Sequence, residues 1–200
     1  MNNLEKLYVN SPFRALYQRH ITIPFFKSGA ALPQGSRCLE IGCGRGIGAR
    51  MVINDFAEVN RVVGIDFDSA QLAKAHRRYR NNPQMQFLKG SASRLPFPDE
   101  SFDAVFDFGI LHHVIHWRKA VAEAGRALRP GGYFLVEDIT KPVLDSLFFR
   151  IQFDHPEEGK FEDYQFMEAL AENRLEVVKK YELARHYLLL VTRKTDQEKE

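Results

Sequence analysis

Cys38-Leu39-Glu40-Ile41-Gly42-Cys43-Gly44-Arg45-Gly46-Ile47-Gly48 is the stretch around which this 200-residue chain is organised. An apolar run that passes into glycine at every second position predicts a short buried strand, a sharp turn and then a helix. Glycine has no Cβ, so the backbone of such a turn can come close to a ligand. The helix behind it offers unpaired N–H groups. Gly44-x-Gly46-x-x-Ala49 also fits a dinucleotide-binding fingerprint. Glu40 tells against that reading. A carboxylate two residues ahead of Gly42 would repel a pyrophosphate and attract a cationic amino group.

Two longer strings lie downstream. Residues 90–105 read G-x-A-x-x-L-P-F-P-D-x-S-F-D-x-V, and residues 128–138 read L-R-P-G-G-Y-F-L-V-E-D. With E-x-G-x-G-x-G at residues 40–46, this set resembles the class I S-adenosylmethionine-dependent methyltransferases. The likeness is to the type 11-like group associated with small-molecule and lipid acceptors. It covers roughly residues 36–138. It implies an α/β, Rossmann-like, seven-stranded, mostly parallel sheet in the order 3-2-1-4-5-7-6, with strand seven antiparallel.

The resemblance also assigns cofactor roles. Glu40 would neutralise the methionine ammonium. Gly42, Cys43, Gly44 and Gly46 would admit the methionine and ribose by backbone contact. Asp66, closing a β-branched second strand, would accept hydrogen bonds from the ribose hydroxyls. Phe67 would pack on adenine, Ser91 and Ala92 would read its edge, and Asp107 and Phe108 would line the near side. The family usually carries an acid where this chain has Ser91. A hydroxyl accepts a hydrogen bond there without the strength of a charge. Asp68 reads instead as a helix cap, with Gln71 placed for a capping box.

Transfer to an oxygen acceptor needs a base, and His112, His113 and Asp138 are the candidates. His112 and His116 stand one helical turn apart, but His113 sits between them where the zinc pattern has glutamate. No cysteine or carboxylate close in sequence completes a ligand set, so no metal is expected. Asp107-Phe108-Gly109-Ile110 is not the D-P-P-Y-like tetrad of enzymes that methylate nucleic-acid base amines. Two further classes share part of the pattern. An NAD-dependent oxidoreductase would use the same glycines and Asp66. A non-catalytic S-adenosylmethionine-binding module would need no base.

Ser11 with Pro12 opens a helix whose Phe13, Leu16, Tyr17 and Ile21 are expected to pack on the domain edge, and Pro24 is expected to end or kink it. Arg14 and Tyr17 are placed to face the pocket. Strands are expected at residues 37–41, 61–66, 85–88, 104–108 and 133–137, with a closing hairpin at 175–181 and 186–191. Between strand five and that hairpin, Phe148, Phe149, Ile151 and Phe153 precede a break at His155-Pro156-Glu157-Glu158-Gly159. The first piece is expected to help form an apolar acceptor pocket, and the second to carry a stripe of Tyr164, Met167, Leu170 and Ala171.

The organisation read from this is one methyltransferase domain: an N-terminal helical cap at 1–35, a cofactor-binding core at 36–138, acceptor-side helices at 139–173, a hairpin at 174–193 and a polar tail. Hydrophobic content of 44% and charged content of 27% are ordinary for a globular protein, and a net charge of +2 is too small for a typical nucleic-acid binder. No apolar run is long enough to span a membrane. Cys38 and Cys43 lack metal or redox spacing, and the N-terminus lacks a secretory pattern, so a cytoplasmic setting is expected. The expected partner is a small-molecule or lipid-like acceptor. The acceptor atom and the oligomeric state stay open.

Overall fold

A computed structural model describes residues 11–145, 160–183 and 187–196. Seven strands form one sheet in the order β3-β2-β1-β4-β5-β7-β6. They are β1 (Ser36–Ile41), β2 (Val59–Asp66), β3 (Met85–Lys89), β4 (Phe102–Phe108), β5 (Leu128–Ile139), β6 (Leu175–Leu183) and β7 (Tyr187–Lys194). The first five run parallel, and β7 is antiparallel to both β5 and β6. The strand order is the one the resemblance implied.

Alternation along the strands sends side chains to two cores. Leu39, Val63, Val105 and Phe134 face one side, covered by α5 (Trp117–Ala127) and α7 (Asp163–Glu172), between which the chain forms the short α6 (Lys141–Leu144). Cys38, Val62, Phe106 and Leu135 face the other, under α2 (Ile23–Gly29), α3 (Ile47–Asp55) and α4 (Ser69–Tyr79). Phe106 there meets Phe26, Phe56 and Phe108 with ring centroids 5.5–6.1 Å apart. The parallel arrangement carries the C-terminal ends of β1, β2 and β4 to one edge, where a ligand crevice forms in such sheets.

The N-terminal helix departs from its sequence reading. Ser11 caps α1 (Pro12–Tyr17) by accepting from the Arg14 amide. Phe13, Leu16 and Ile21 nevertheless point to solvent, and Tyr17 is also exposed. The inward face is polar. Gln18 and Thr22 are buried, and Gln18 Nε2 donates to the buried Glu137 carboxylate at 3.0 Å. A buried carboxylate needs donors more than a surface helix needs to hide its apolar stripe, and this sets the rotation. Pro24 does not end the helix. A π-helical turn, Gln18–Thr22, joins α1 to α2, which runs on to Gly29.

Other boundaries moved by a few residues. α5 passes directly into β5 at Leu128. The pairing of β4 with β5 shifts register between Phe102 and Ala104, so residues 129–132 bulge out rather than form a separate turn. α7 buries Phe166, Ala169 and Leu170, one position round from the expected stripe, and leaves Tyr164 exposed. Lys194, read as the start of the tail, lies in β7, where its Nζ donates to Leu128 O at 2.6 Å. The Asp68 cap is present, but its own amide donates to Asp66 and not to Gln71. Phe148, Phe149, Ile151, Phe153, the break at 155–159 and His186 lie outside the described residues.

The L-P-F-P-D string owes its form to α5. Arg126 reaches back to the carbonyls of Leu95 and Phe97 and to Asp99, while Glu123 accepts from the Leu95 amide at 2.6 Å and pairs with Arg126 at 2.7 Å. The Arg126 contacts hold Glu123 below the ordinary carboxylate range. Arg126→Met is expected to cost about 2–3 kcal/mol in denaturant unfolding. It should also raise hydrogen exchange in residues 93–100, because the loop loses its donors while the core beneath is untouched.

Candidate functional site

The largest described cleft, about 570 Å³, opens at the C-terminal ends of β1, β2 and β4. Its floor is the glycine turn. Gly42 has φ +66°, and a Cβ there would strike the Ile110 side chain at 2.6 Å, so only glycine fits. Gly48 is needed for a different reason. Its backbone is ordinary helix, but a Cβ would collide with Glu40 Oε1 and Phe108 Cδ2. The missing side chain leaves room for the Glu40 carboxylate, whose Oε2 accepts from the Ala49 amide at 2.7 Å. Glu40 is almost fully buried yet lines the cleft. Burial, partly offset by the Ala49 hydrogen bond, pushes its carboxyl up to about 8.

Asp66 ties the turn to the loop after β2. Its Oδ2 accepts from the Gly44 amide at 2.7 Å and its Oδ1 from the Asp68 amide at 2.8 Å. Each oxygen keeps a lone pair for a ligand hydroxyl. Burial raises its carboxyl, against the pull of those amides. Phe67, strongly exposed, stands at the rim, and Ser91 and Ala92 line the same wall. Ser91 Oγ lies 3.0 Å from Ser93 Oγ. Glu40, Gly42, Cys43, Gly44, Asp66, Phe67, Ser91, Ala92 and Phe108 thus converge on one cleft, whereas Gly46 sits behind the turn against Phe87.

Three further candidates do not reach that cleft. Asp107 is fully buried, and one oxygen accepts from the Ile110 amide at 2.9 Å. Asp138, fully buried too, accepts from the Leu111, His112 and Ile139 amides. His112 is buried, with Nδ1 2.5 Å from Asp138 Oδ1. Burial, with the Asp138 charge beside it, drives Asp107 well above the ordinary carboxylate range, and its other oxygen, Oδ2, is buried without a hydrogen-bond partner. Burial alone would raise Asp138 as well, but the interaction with His112 holds it low. These groups form a packed wall. Of the three candidate bases His112, His113 and Asp138, only His113 lines the cleft, with its ring 4.0 Å from that of His112.

The opposite wall comes from α1. Arg14 Nη2 donates to Phe108 O at 2.5 Å and lies over Gly109. Arg14 and Gln18 line the cleft, while Tyr17 turns away to meet Tyr187 edge-on at 6.0 Å. Gln18 was not visible as a site residue in the sequence, since its partner Glu137 is 119 positions away. Ile110, Val114 and Ile115 add an apolar stretch to the lining, and Arg45, Asp68, Gln71 and His116 add polar groups. Among the described residues, no group of three metal-ligating side chains stands close enough to hold an ion.

The strand order, with an acid and glycine turn after β1 and an acid after β2, is the arrangement that the sequence resemblance implied. Residues 39–136 match the family model described as a methyltransferase domain, and the sheet order is that of the class I methyltransferase fold. The phthiotriol/phenolphthiotriol dimycocerosates methyltransferase 1 of Mycobacterium ulcerans is 39% identical over 105 residues, 52% of this chain and 38% of that one. The 2-phytyl-1,4-naphtoquinone methyltransferase of Thermosynechococcus vestitus is 34% identical over 116 residues, 58% of this chain and 52% of that one. The chain therefore matches about half or less of these relatives' own lengths. A methyltransferase structure from Aquifex aeolicus superimposes with a TM-score of 0.75 at 18% identity, covering 98% of this chain and 100% of that one, and shows the shared fold.

Gly48→Ala should cost about 1–3 kcal/mol in thermal or denaturant unfolding. The added methyl must displace Glu40, so the variant should also bind S-adenosylmethionine more weakly than an equally destabilised variant remote from the cleft.

Proposed function

We propose that the protein transfers a methyl group from S-adenosylmethionine to a small, lipid-like acceptor. One observation carries the choice of cofactor. The N-terminal amide of α3 that a dinucleotide phosphate would use is already taken by the Glu40 carboxylate. A pyrophosphate would meet that carboxylate, whereas an ammonium would be drawn to it. This disfavours the nicotinamide reading, although the glycines and Asp66 fit it equally well.

When bound, S-adenosylmethionine supplies a methyl group on a sulfonium that departs as a neutral thioether. The protein's part is to hold, orient and dry the reactants. Glu40 would take the ammonium, Asp66 the ribose hydroxyls, and Phe67, Ser91 and Ala92 the adenine. Alignment of this kind can supply about 7–11 kcal/mol. His113, at the cleft wall, is placed to take a proton from an oxygen or nitrogen acceptor. His112, held by Asp138, backs its ring. The apolar wall of Ile110, Val114 and Ile115 suits a long hydrocarbon acceptor. The names of the two relatives point the same way, to dimycocerosates and a phytyl naphthoquinone. A reducing, cytoplasmic setting belongs to the same reading, supported by the free thiols of Cys38 and Cys43.

Calorimetry tests the cofactor assignment. At neutral pH the Glu40 carboxyl, raised to about 8, holds a proton that an arriving ammonium expels. Binding should release close to one proton below that pH and tighten as pH climbs towards 8. Glu40→Gln keeps an acceptor for the Ala49 amide but should abolish the proton release and weaken binding about 10–100-fold. In the unfolded chain the carboxyl ionises near its ordinary 4.5, so between 4.5 and about 8 rising pH favours unfolding. The glutamine variant should lose that slope. Tight NAD binding without an S-adenosylmethionine signal would reverse the assignment.

His113→Ala should lower kcat by about 10²–10⁴ with cofactor affinity unchanged, read from adenosylhomocysteine release against long-chain hydroxyl or quinol acceptors. An unchanged kcat would leave alignment as the whole of the catalysis. Cofactor binding with no release from any acceptor would favour the non-catalytic module.

A further inference from the structure

The outward face of α1 and the cationic edge beside it are unused by the methyl-transfer reading. Phe13 is 81% exposed, Leu16 58% and Ile21 48%, all on the side of the N-terminal helix away from its polar anchors. A surface depression on the edge of α4 is lined by Arg45, Lys74, Arg77 and Arg78 and by no carboxylate. A second, between α1 and α3, carries Arg19, Arg50 and Arg78 with a single acid, Asp55, which lies 3.8 Å from Arg19. Arg50, Lys74, Arg77 and Arg78 have no carboxylate partner among the described residues.

These surfaces are continuous. Arg78 lines both depressions, Arg45 lines the first and the cleft, and Ala15 and Ile47 line the second and the cleft. A net charge of only +2 over the whole chain makes this concentration on one side a local feature. Protruding apolar side chains flanked by unpaired cations, at the mouth of an apolar-walled cleft, have the chemistry of an interfacial helix with a basic flank. Exposed Ile115 and Phe67 carry the apolar character to the cleft rim.

The geometry points to peripheral docking of this face on an anionic lipid surface, with the outer side chains of α1 entering the acyl boundary and the α3–α4 arginines meeting the headgroups. Aliphatic Leu16 and Ile21 favour a bilayer over a nucleic acid, since they gain more from acyl chains than from bases. The inference goes beyond the methyl-transfer reading and does not rest on the identity of the acceptor.

Flotation of the full chain with vesicles tests it. The protein should float with equimolar phosphatidylcholine and phosphatidylglycerol, stay behind with phosphatidylcholine alone, and detach as salt is raised. Arg77→Glu combined with Arg78→Glu should lower partitioning at least about tenfold. Phe13→Ser combined with Leu16→Ser should lower it about as much. All four positions are exposed and outside the cleft, so S-adenosylmethionine binding by the variants, measured alongside, should be unchanged. Failure to float with either vesicle, or equal flotation with both, would overturn the proposal. So would a concentration-dependent dimer abolished by the Phe13 and Leu16 changes, which would assign the face to a second copy. Binding of a short RNA that survives those changes, without vesicle binding, would assign the cations to nucleic acid.

Discussion

The hydrogen bond from the Ala49 amide to the Glu40 carboxylate joins the end of β1 to the first turn of α3 from inside the protein. It has consequences in both directions. A carboxylate beside a helix N-terminus is stabilised by the amides it faces. Yet the site is so dry that the group still prefers its proton. The helix cannot then serve phosphates, and the carboxyl is left ready for a cation. Gly48 exists to make room for this contact, so the glycine pattern and the acid are one feature read at two positions.

The wall behind the cleft follows a similar economy. Asp107, Asp138 and His112 meet at the ends of β4 and β5, where two adjacent carboxylates could not both ionise. The Asp138 carboxylate is satisfied by the Leu111, His112 and Ile139 amides and by His112 Nδ1. The cluster fixes the backbone of residues 110–113, and with it the placement of Ile110 under the turn and of His113 at the surface. Its conspicuous side chains act mainly as scaffolding, and the less conspicuous neighbour is the one that faces the ligand.

Much of this was legible from the chain. The cap at Asp68 and the glycine turn beside Glu40 follow from local patterns, whereas the strand order and the convergence of Glu40, Asp66 and Ser91 follow from the family resemblance. The misreadings have a shared cause. The direction in which α1 turns depends on Glu137, more than a hundred residues away, and no local periodicity carries that information. The sequence offers Asp107 as a cofactor-lining residue and His112 and Asp138 as bases because acids and histidines at strand ends commonly face the crevice. Their burial reflects mutual pairing across β4 and β5, which appears only once the strands are adjacent. The bulge at 129–132 was hidden for the opposite reason: proline and paired glycines speak for a turn whether or not a strand continues through it.

The widened turn at Gln18–Thr22 sets the azimuth of everything upstream of it. A π-turn holds one more residue than the α-helical ladder would, and each residue of an α-helix advances about 100°. Were that extra residue lost, α1 would swing by about that angle, and Arg14 would leave the Phe108 carbonyl for the outside of the molecule. The phase of the N-terminal helix is therefore written in a single irregularity of its hydrogen-bond ladder. The same irregularity decides which side chains the helix lends to the ligand and which it leaves facing outwards.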